Sequence, residues 1–245
     1  MRLKESTRAP QGLDKDEIKE KTKKLRERLH ELQAVLFAES KHAFLIVLQG
    51  MDASGKDGSV KGVFNGVNPM GCLVKAYKAP TEIERAHDFL WRIHAHAPAK
   101  GMIQIFNRSH YEDILVPRVK KWIDGAEVKR RINHINNWEL LLKESGTQIL
   151  KFYLHISEEE QQQRFEERLT IPEKRWKYKA SDLAEAKLWP QYREAFEDIF
   201  EHCNLAEPWQ IIPADQNWYR DYLIASAVVE RMESLNMQYP QTVGE

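Results

Sequence analysis

Residues Phe44 to Ser59, FLIVLQGMDASGKDGS, carry the side chains best suited to holding a phosphate. Gly50, Gly55 and Lys56 stand in the spacing G-x-x-x-x-G-K. Glycines at those points let backbone N–H groups turn toward an anion, and the lysine reaches a terminal phosphate oxygen. A helix starting at the lysine adds its positive N-terminal end. The candidate contact set is therefore Gly50, Ala53, Ser54, Gly55, Lys56, Asp57 and Gly58. One position departs from the usual pattern. Such loops place Ser or Thr after the lysine to hold Mg²⁺, and this chain has Asp57 there. Asp52, inside the loop, becomes the candidate carboxylate for the metal.

Two further clusters suit the same chemistry. Asn107-Arg108-Ser109-His110-Tyr111-Glu112-Asp113 follows a short apolar run, GMIQIF, directly. Polar residues at the carboxyl end of a buried parallel strand face the crevice where α/β sheets bind ligands. Arg108 is placed to stabilise phosphate charge and Asp113 to hold or orient Mg²⁺. Between positions 164 and 179 there are six basic residues against three acidic ones, a local excess of three positive charges. Arg164, Arg168, Arg175 and Lys177 there suit a lid that closes cations over phosphates.

The bulk numbers narrow the partners. Lys+Arg and Asp+Glu are 37 each, so the net charge is +0. No global basic field exists to draw in nucleic acid, and polyanion binding must come from local clustering. Cys72 and Cys203 lie in no metal-ligand spacing and read as thiols of a reducing compartment. No apolar run approaches a membrane span, and the start, MRLKESTRAP, has no apolar signal core. A cytoplasmic location is expected, with neither membrane nor nucleic acid as partner.

These clusters need a scaffold. Phe44–Gln49, Cys72–Tyr77, Gly101–Phe106, Thr147–Ile156 and Trp209–Pro213 read as five short strands. Helices are expected from Asp14 to about Leu36, Lys56 to Val67, Thr81 to about Ala97, and over 112–144 with a break near Gly125. Three more are expected: one from Ser157, one capped by Ser181-Asp182 and running to about His202, and one from Asn217 to Leu235. Alternating strands and helices predict a parallel α/β sheet with crossover helices. The aromatic stripe Trp189, Tyr192, Phe196 and Phe200 reads as core, and His94 and His96, two apart, point to different helix faces.

GMDASGKDG, FNRSHYEDILVPRV, GTQILKFYLHIS, RLTIPEKRWKY and PADQNWYR together resemble the family 2 polyphosphate kinases, in matching order, from about residue 10 to 240. The resemblance implies a three-layer P-loop kinase domain spanning 1–245, like that of thymidylate kinases, with a five-stranded parallel sheet and a helical lid over 160–200. It implies Mg²⁺-dependent phosphoryl transfer between inorganic polyphosphate and AMP, ADP or ATP, or the guanine equivalents GMP and GDP. Carried over by position, Asp52, Lys56, Arg108 and Asp113 take catalytic and metal-associated places. Glu112 and Arg118 join the phosphate- and nucleotide-binding set, and Arg164, Arg168, Arg175 and Lys177 fall in the lid. The Glu112-Asp113 pair resembles the subgroup acting on both AMP and ADP. A homo-oligomer, dimer or tetramer, is expected. Two other readings stay open from the residues alone: an ATP-dependent nucleoside monophosphate kinase, and a non-catalytic polyphosphate binder.

Overall fold

A computed structural model describes residue 3, residues 6–177 and residues 185–241. The expected α/β architecture is present. Five parallel strands form one sheet: β1 (Ala43–Gln49), β2 (Cys72–Ala76), β3 (Ile103–Asn107), β4 (Thr147–His155) and β5 (Trp209–Pro213). Their order is β2-β3-β1-β4-β5, which puts β1 in the centre. Alternation along β1 sends Phe44, Ile46 and Leu48 to one face and Leu45 and Val47 to the other, and all five are buried.

Helices cover both faces. On one side lie α1 (Lys15–Glu39), α2 (Lys56–Phe64) and the last helix, α9 (Asn217–Glu233). On the other lie α5 (Glu112–Val119), α6 (Gly125–Glu144) and α8 (Trp189–His202). Helix α7 (Glu158–Thr170) follows β4 and runs into a 3₁₀ turn, Pro172–Lys177. The amphipathic α1 packs along α9, and its Arg28 Nε donates to Glu233 Oε1 at 2.8 Å.

Local chemistry sets the boundaries. Asp14 Oδ1 accepts from the N–H groups of Asp16 and Glu17, and Ser157 Oγ accepts from Glu160 N at 3.2 Å, so both helices begin at their expected caps. The single helix expected over Thr81–Ala97 is instead two short pieces, α3 (Glu82–Arg85) and α4 (Trp91–His94). Thr81 and Glu84 close a capping box on α3. Asp88 then breaks the run, because its Oδ1 accepts from Leu90 N at 2.9 Å and its carbonyl from Trp91 N at 3.1 Å. The expected cap at Ser181-Asp182 lies outside the described residues.

Candidate active site

The register aligns the carboxyl ends of β1 and β3, with Leu48 opposite Asn107. The loop after β1 and the start of α5 therefore meet at one end of the sheet, where a parallel α/β fold opens its crevice. In the β1–α2 loop, Ala53 has φ 61° and Gly55 φ 99°. These left-handed turns coil the chain back before α2 begins, and they are why a glycine stands at 55. Lys56, 8% exposed, curls into the coil, where Nζ donates to Gly50 O at 2.8 Å and Met51 O at 3.0 Å. Burial and the neighbouring Arg108 push its pKa down to about 8, although Asp52 and Glu112 oppose that shift.

Arg108 is the hub of the site. It sits at φ 60°, a conformation sparsely populated by non-glycine residues. Its Nη2 pairs with Asp52 Oδ1, and its Nη1 donates to Glu112 Oε2 at 3.1 Å. The negative charges of Glu112 and Asp52 push this guanidinium further up despite its burial. Gln49 fixes the other Glu112 oxygen, with its amide oriented so that nitrogen donates to Oε1 at 3.0 Å and oxygen accepts from Ser109 Oγ. Burial alone would raise the Asp52 pKa, but Arg108 and Lys56 outweigh it and hold the carboxyl below its usual value. Arg168 adds to that field.

Two cavities meet at this hub. A small one of about 180 Å³ lies over Gly50, Met51 and Asp52, walled by Trp189, Tyr192 and Phe196. Trp189 and Tyr192 of the aromatic stripe are thus only partly buried, while Phe196 at the cavity floor and Phe200 are buried as expected. A larger one of about 870 Å³ is lined by Arg92, Arg131, Asp113, Phe89, Pro117 and Trp122, among others. Arg108 and Glu112 line both.

The structure does not bring Asp113 to Asp52. Asp113 Oδ2 accepts from Arg92 Nη2 at 2.9 Å and faces the larger cavity. Burial pushes its pKa up in spite of that arginine. Glu112 is the carboxylate that shares Arg108 with Asp52. Among the described residues, no three His, Cys, Asp or Glu side chains form a metal cage. The anionic Asp52 at the mouth of the β1–α2 loop nevertheless fits Mg²⁺, which commonly takes one or two carboxylates and completes its shell with phosphate oxygens and water.

The other expected site residues separate into three groups. Asp57 Oδ1 accepts from Asn107 Nδ2 at 2.6 Å and its Oδ2 faces Lys177 Nζ at 3.5 Å, so the 3₁₀ turn sits above the loop. Arg168 rests over the Phe165 ring at 5.1 Å, and Arg175 donates to Leu169 O at 3.2 Å. Arg164 and Arg118 are engaged elsewhere. Arg164 Nη1 donates to Ala53 O at 2.9 Å and Nη2 to Ala214 O at 2.8 Å, bracing the loop from behind. Arg118 pairs with Asp198 at 2.5 Å on α8 and lines neither cavity. Sequence reasoning missed Gln161, whose Nε2 donates to Asp52 O at 2.7 Å, and Arg92 and Arg131. No spacing signal marks them, because each reaches the site from a helix distant in sequence.

The family model described as Polyphosphate kinase 2 (PPK2) matches residues 12–240 of the chain. The chain belongs to the polyphosphate kinase 2 family. A relative from Meiothermus ruber, an AMP/ADP-polyphosphate phosphotransferase, is 51% identical over 218 residues, covering 89% of this chain and 82% of the relative. An ADP-polyphosphate phosphotransferase from Rhodopseudomonas palustris is 41% identical, covering 88% and 79%. The crystal structure of polyphosphate kinase 2 from Arthrobacter aurescens TC1 superposes with a TM-score of 0.93 at 40% identity, covering 98% of this chain and 87% of the other.

Proposed function

We propose that the chain transfers a phosphoryl group between inorganic polyphosphate and AMP or ADP, reversibly, at the junction of the two cavities. The observation that carries the reading is Arg108, which lines both cavities and holds Asp52 and Glu112. A phosphoryl group in flight spreads charge over its equatorial oxygens, and a cation fixed at the junction stabilises it. The larger cavity, with Phe89 and Trp122 beside Arg92 and Arg131, suits a nucleoside with its phosphates directed at Arg108. The end of the polyphosphate chain then lies on the β1–α2 loop, under Lys56, Arg168 and Lys177. The nucleotide phosphate oxygen is already anionic, so no strong general base is needed. Arg108 exchanges its carboxylate partners for phosphate oxygens as the substrates enter.

Mg²⁺ would be held by Asp52, with Glu112 beside it, and would supply charge neutralisation to the transferring phosphoryl group. Asp113, through Arg92, shapes the nucleotide side. Within 160–200, helix α7 and the 3₁₀ turn act as the lid, whereas α8 packs Ala195, Phe196, Ile199 and Phe200 into the core; closure of the lid excludes water that would otherwise hydrolyse the phosphoryl group. Adenine nucleotides are the first choice because the relatives from Meiothermus ruber and Rhodopseudomonas palustris act on AMP/ADP and on ADP.

We also assign the chain a homo-oligomeric state. The supporting observation is edge strand β2, where Leu73 and Val74 point to opposite faces and each is 51% exposed. Light scattering of the purified chain reads its mass directly, and a monomer would overturn this assignment. No described helix is long and apolar enough to cross a membrane. A cytoplasmic location is proposed. The activity is tested by supplying AMP with polyphosphate or with ATP, and following products by chromatography. Polyphosphate alone should yield ADP and then ATP. Conversion of AMP with ATP only would favour the ATP-dependent kinase, and binding without turnover the non-catalytic binder.

A further inference from the structure

Arg220 is 1% exposed and lies on α9, more than 160 residues from the β1–α2 loop in sequence. Its guanidinium nevertheless sits directly beneath that loop. Gly55, Gly58 and Gly62 fall at helical spacing on one face of α2, and that face meets Arg220 and Asp221. A Cβ on Gly55 would overlap Arg220 Nη1, and one on Gly62 would overlap the Asp221 carboxylate. A Cβ on Gly58 would come within 3.1 Å of Arg220 Nη2. The guanidinium is fixed from its own helix, where Nη1 donates to Asn217 Oδ1 at 2.6 Å and Nε to Asp221 Oδ1 at 2.9 Å. Arg164 completes the brace, since its Nη1 takes the carbonyl of Ala53 and its Nη2 the carbonyls of Ala214 and Asp215.

A buried pair such as Arg220–Asp221 adds little net stability, because desolvation offsets the attraction. Burial in fact pulls the Arg220 pKa down and the Asp221 pKa up despite their pairing. An aliphatic residue would fill the same space with less desolvation. What the arginine supplies is a rigid, planar, charged wedge under the first turn of α2. The first N–H groups of that helix have no intrahelical partners and are the ones an anion would use.

We infer that Arg220 is a positioning residue that sets the phosphate-binding form of the β1–α2 loop through the glycine face of α2, with Arg164 beside it, its Nη1 3.4 Å from where a Cβ on Gly55 would sit and bonded to the Ala53 carbonyl. The inference rests on the reading that this loop holds the polyphosphate end. It makes Gly58 and Arg220 a coupled pair: the glycine is there to admit the guanidinium.

The test is steady-state kinetics of Gly58→Ala, Arg220→Lys and the double variant, with melting temperatures and Lys56→Ala as control. Gly58→Ala should raise the KM for polyphosphate about tenfold, since small misplacements of binding groups are costly, and leave the KM for ADP within about twofold. Arg220→Lys should raise the polyphosphate KM about fivefold. The double variant should fall well short of the product of the two, because the narrower lysine head relieves the alanine. A merely structural role predicts lowered melting temperatures with equal shifts in both KM values, or shifts that multiply independently, and either result overturns the inference. Wild-type kinetics in the Gly58 and Arg220 variants beside an inactive Lys56→Ala would sink the positioning role alone. An active Lys56→Ala would remove the phosphate-loop reading and this inference with it.

Discussion

Lys56 Nζ lies 2.8 Å from the carbonyl oxygen of Gly50, so the lysine charge is folded onto its own loop. A phosphate oxygen arriving at the loop competes with that carbonyl as a far stronger partner for an ammonium group. In the proposed function the lysine is thus held ready for the incoming phosphate, and the burial that keeps it there also makes its charge sensitive to pH.

The first prediction follows from that sensitivity. Burial lowers the Lys56 pKa to about 8, and in the proposed binding step it is the charged form that meets the phosphate. The kcat/KM for polyphosphate, which reports the free enzyme, should be flat below that value and fall with unit slope as pH rises through it. At saturating substrate a bound phosphate favours the charged amine, so kcat should fall only at higher pH. The linked effect on stability has the opposite sense. Between the folded value near 8 and the ordinary lysine value near 10.5, the unfolded chain binds the extra proton, so this group adds stability as pH rises through that window. A pH profile of kcat/KM with no limb near 8 would remove Lys56 from the binding step.

Replacing the lysine removes the contact altogether. Lys56→Ala should cost about 10² to 10³ in kcat/KM, the usual scale for one fixed electrostatic contact, while circular dichroism stays native. A folded variant within a few-fold of the parent would contradict the assignment of the loop.

The two aspartates should behave differently. Asp52→Asn should lower activity and shift the Mg²⁺ titration to higher concentration, because Asp52 is the oxygen donor proposed for the metal. Asp113→Asn should instead raise the KM for the nucleotide, because Asp113 orients Arg92 at the larger cavity. Matching Mg²⁺ titrations for Asp52→Asn and the parent would move the metal elsewhere.

Lys177 and Arg175 test the lid. A long polyphosphate presents many charges and a nucleotide only a few, so Arg175→Ala/Lys177→Ala should raise the polyphosphate KM more than the ADP KM. The difference should shrink with added salt, since exposed charges are screened over about 8 Å at physiological ionic strength. Equal shifts for both substrates would leave the turn without a role in recognising polyphosphate.

A stability prediction concerns the core behind Arg108. Lys151 Nζ meets Glu139 Oε2 at 2.6 Å, both fully buried, and Tyr111 and His110 bind the other oxygen of Glu139 at 2.6 and 3.1 Å. Lys151→Met strands a buried carboxylate and should cost about 3 to 5 kcal/mol in urea unfolding. Lys151→Met/Glu139→Leu should recover most of that loss. A double variant no more stable than the single would mean that the stranded charge is not the cause.

The placement of the loop from Gly50 to Gly58 and of Arg108 and Glu112 at one end of the sheet was legible because each is local. Spacing within a few residues of a strand end determines where these side chains go. The five strands were legible for the same reason, as short apolar runs between turn residues. The break between α3 and α4 was not, because Asp88 in a helical pattern signals nothing until its side chain is seen capping Leu90. The pairing of Asp113 with Arg92 and the bracing roles of Arg164 and Arg220 were also hidden. Each depends on which helix face turns inward across the sheet, a tertiary fact with no short-range signature. Arg164 shows the consequence most clearly, since a basic cluster in sequence became one arginine bonded to the Ala53 carbonyl, a lysine facing Asp57 and an arginine turned to the Leu169 carbonyl.

The most direct test of the account supplies polyphosphate labelled at its terminal phosphorus, ADP and Mg²⁺, with no ATP, to the wild-type chain and to Lys56→Ala. The account predicts ATP carrying the label at its γ-phosphate from the wild type, and a rate lower by about 10² or more from the variant. Unlabelled or absent ATP from the folded wild-type chain, or equal labelling by both proteins, would contradict it.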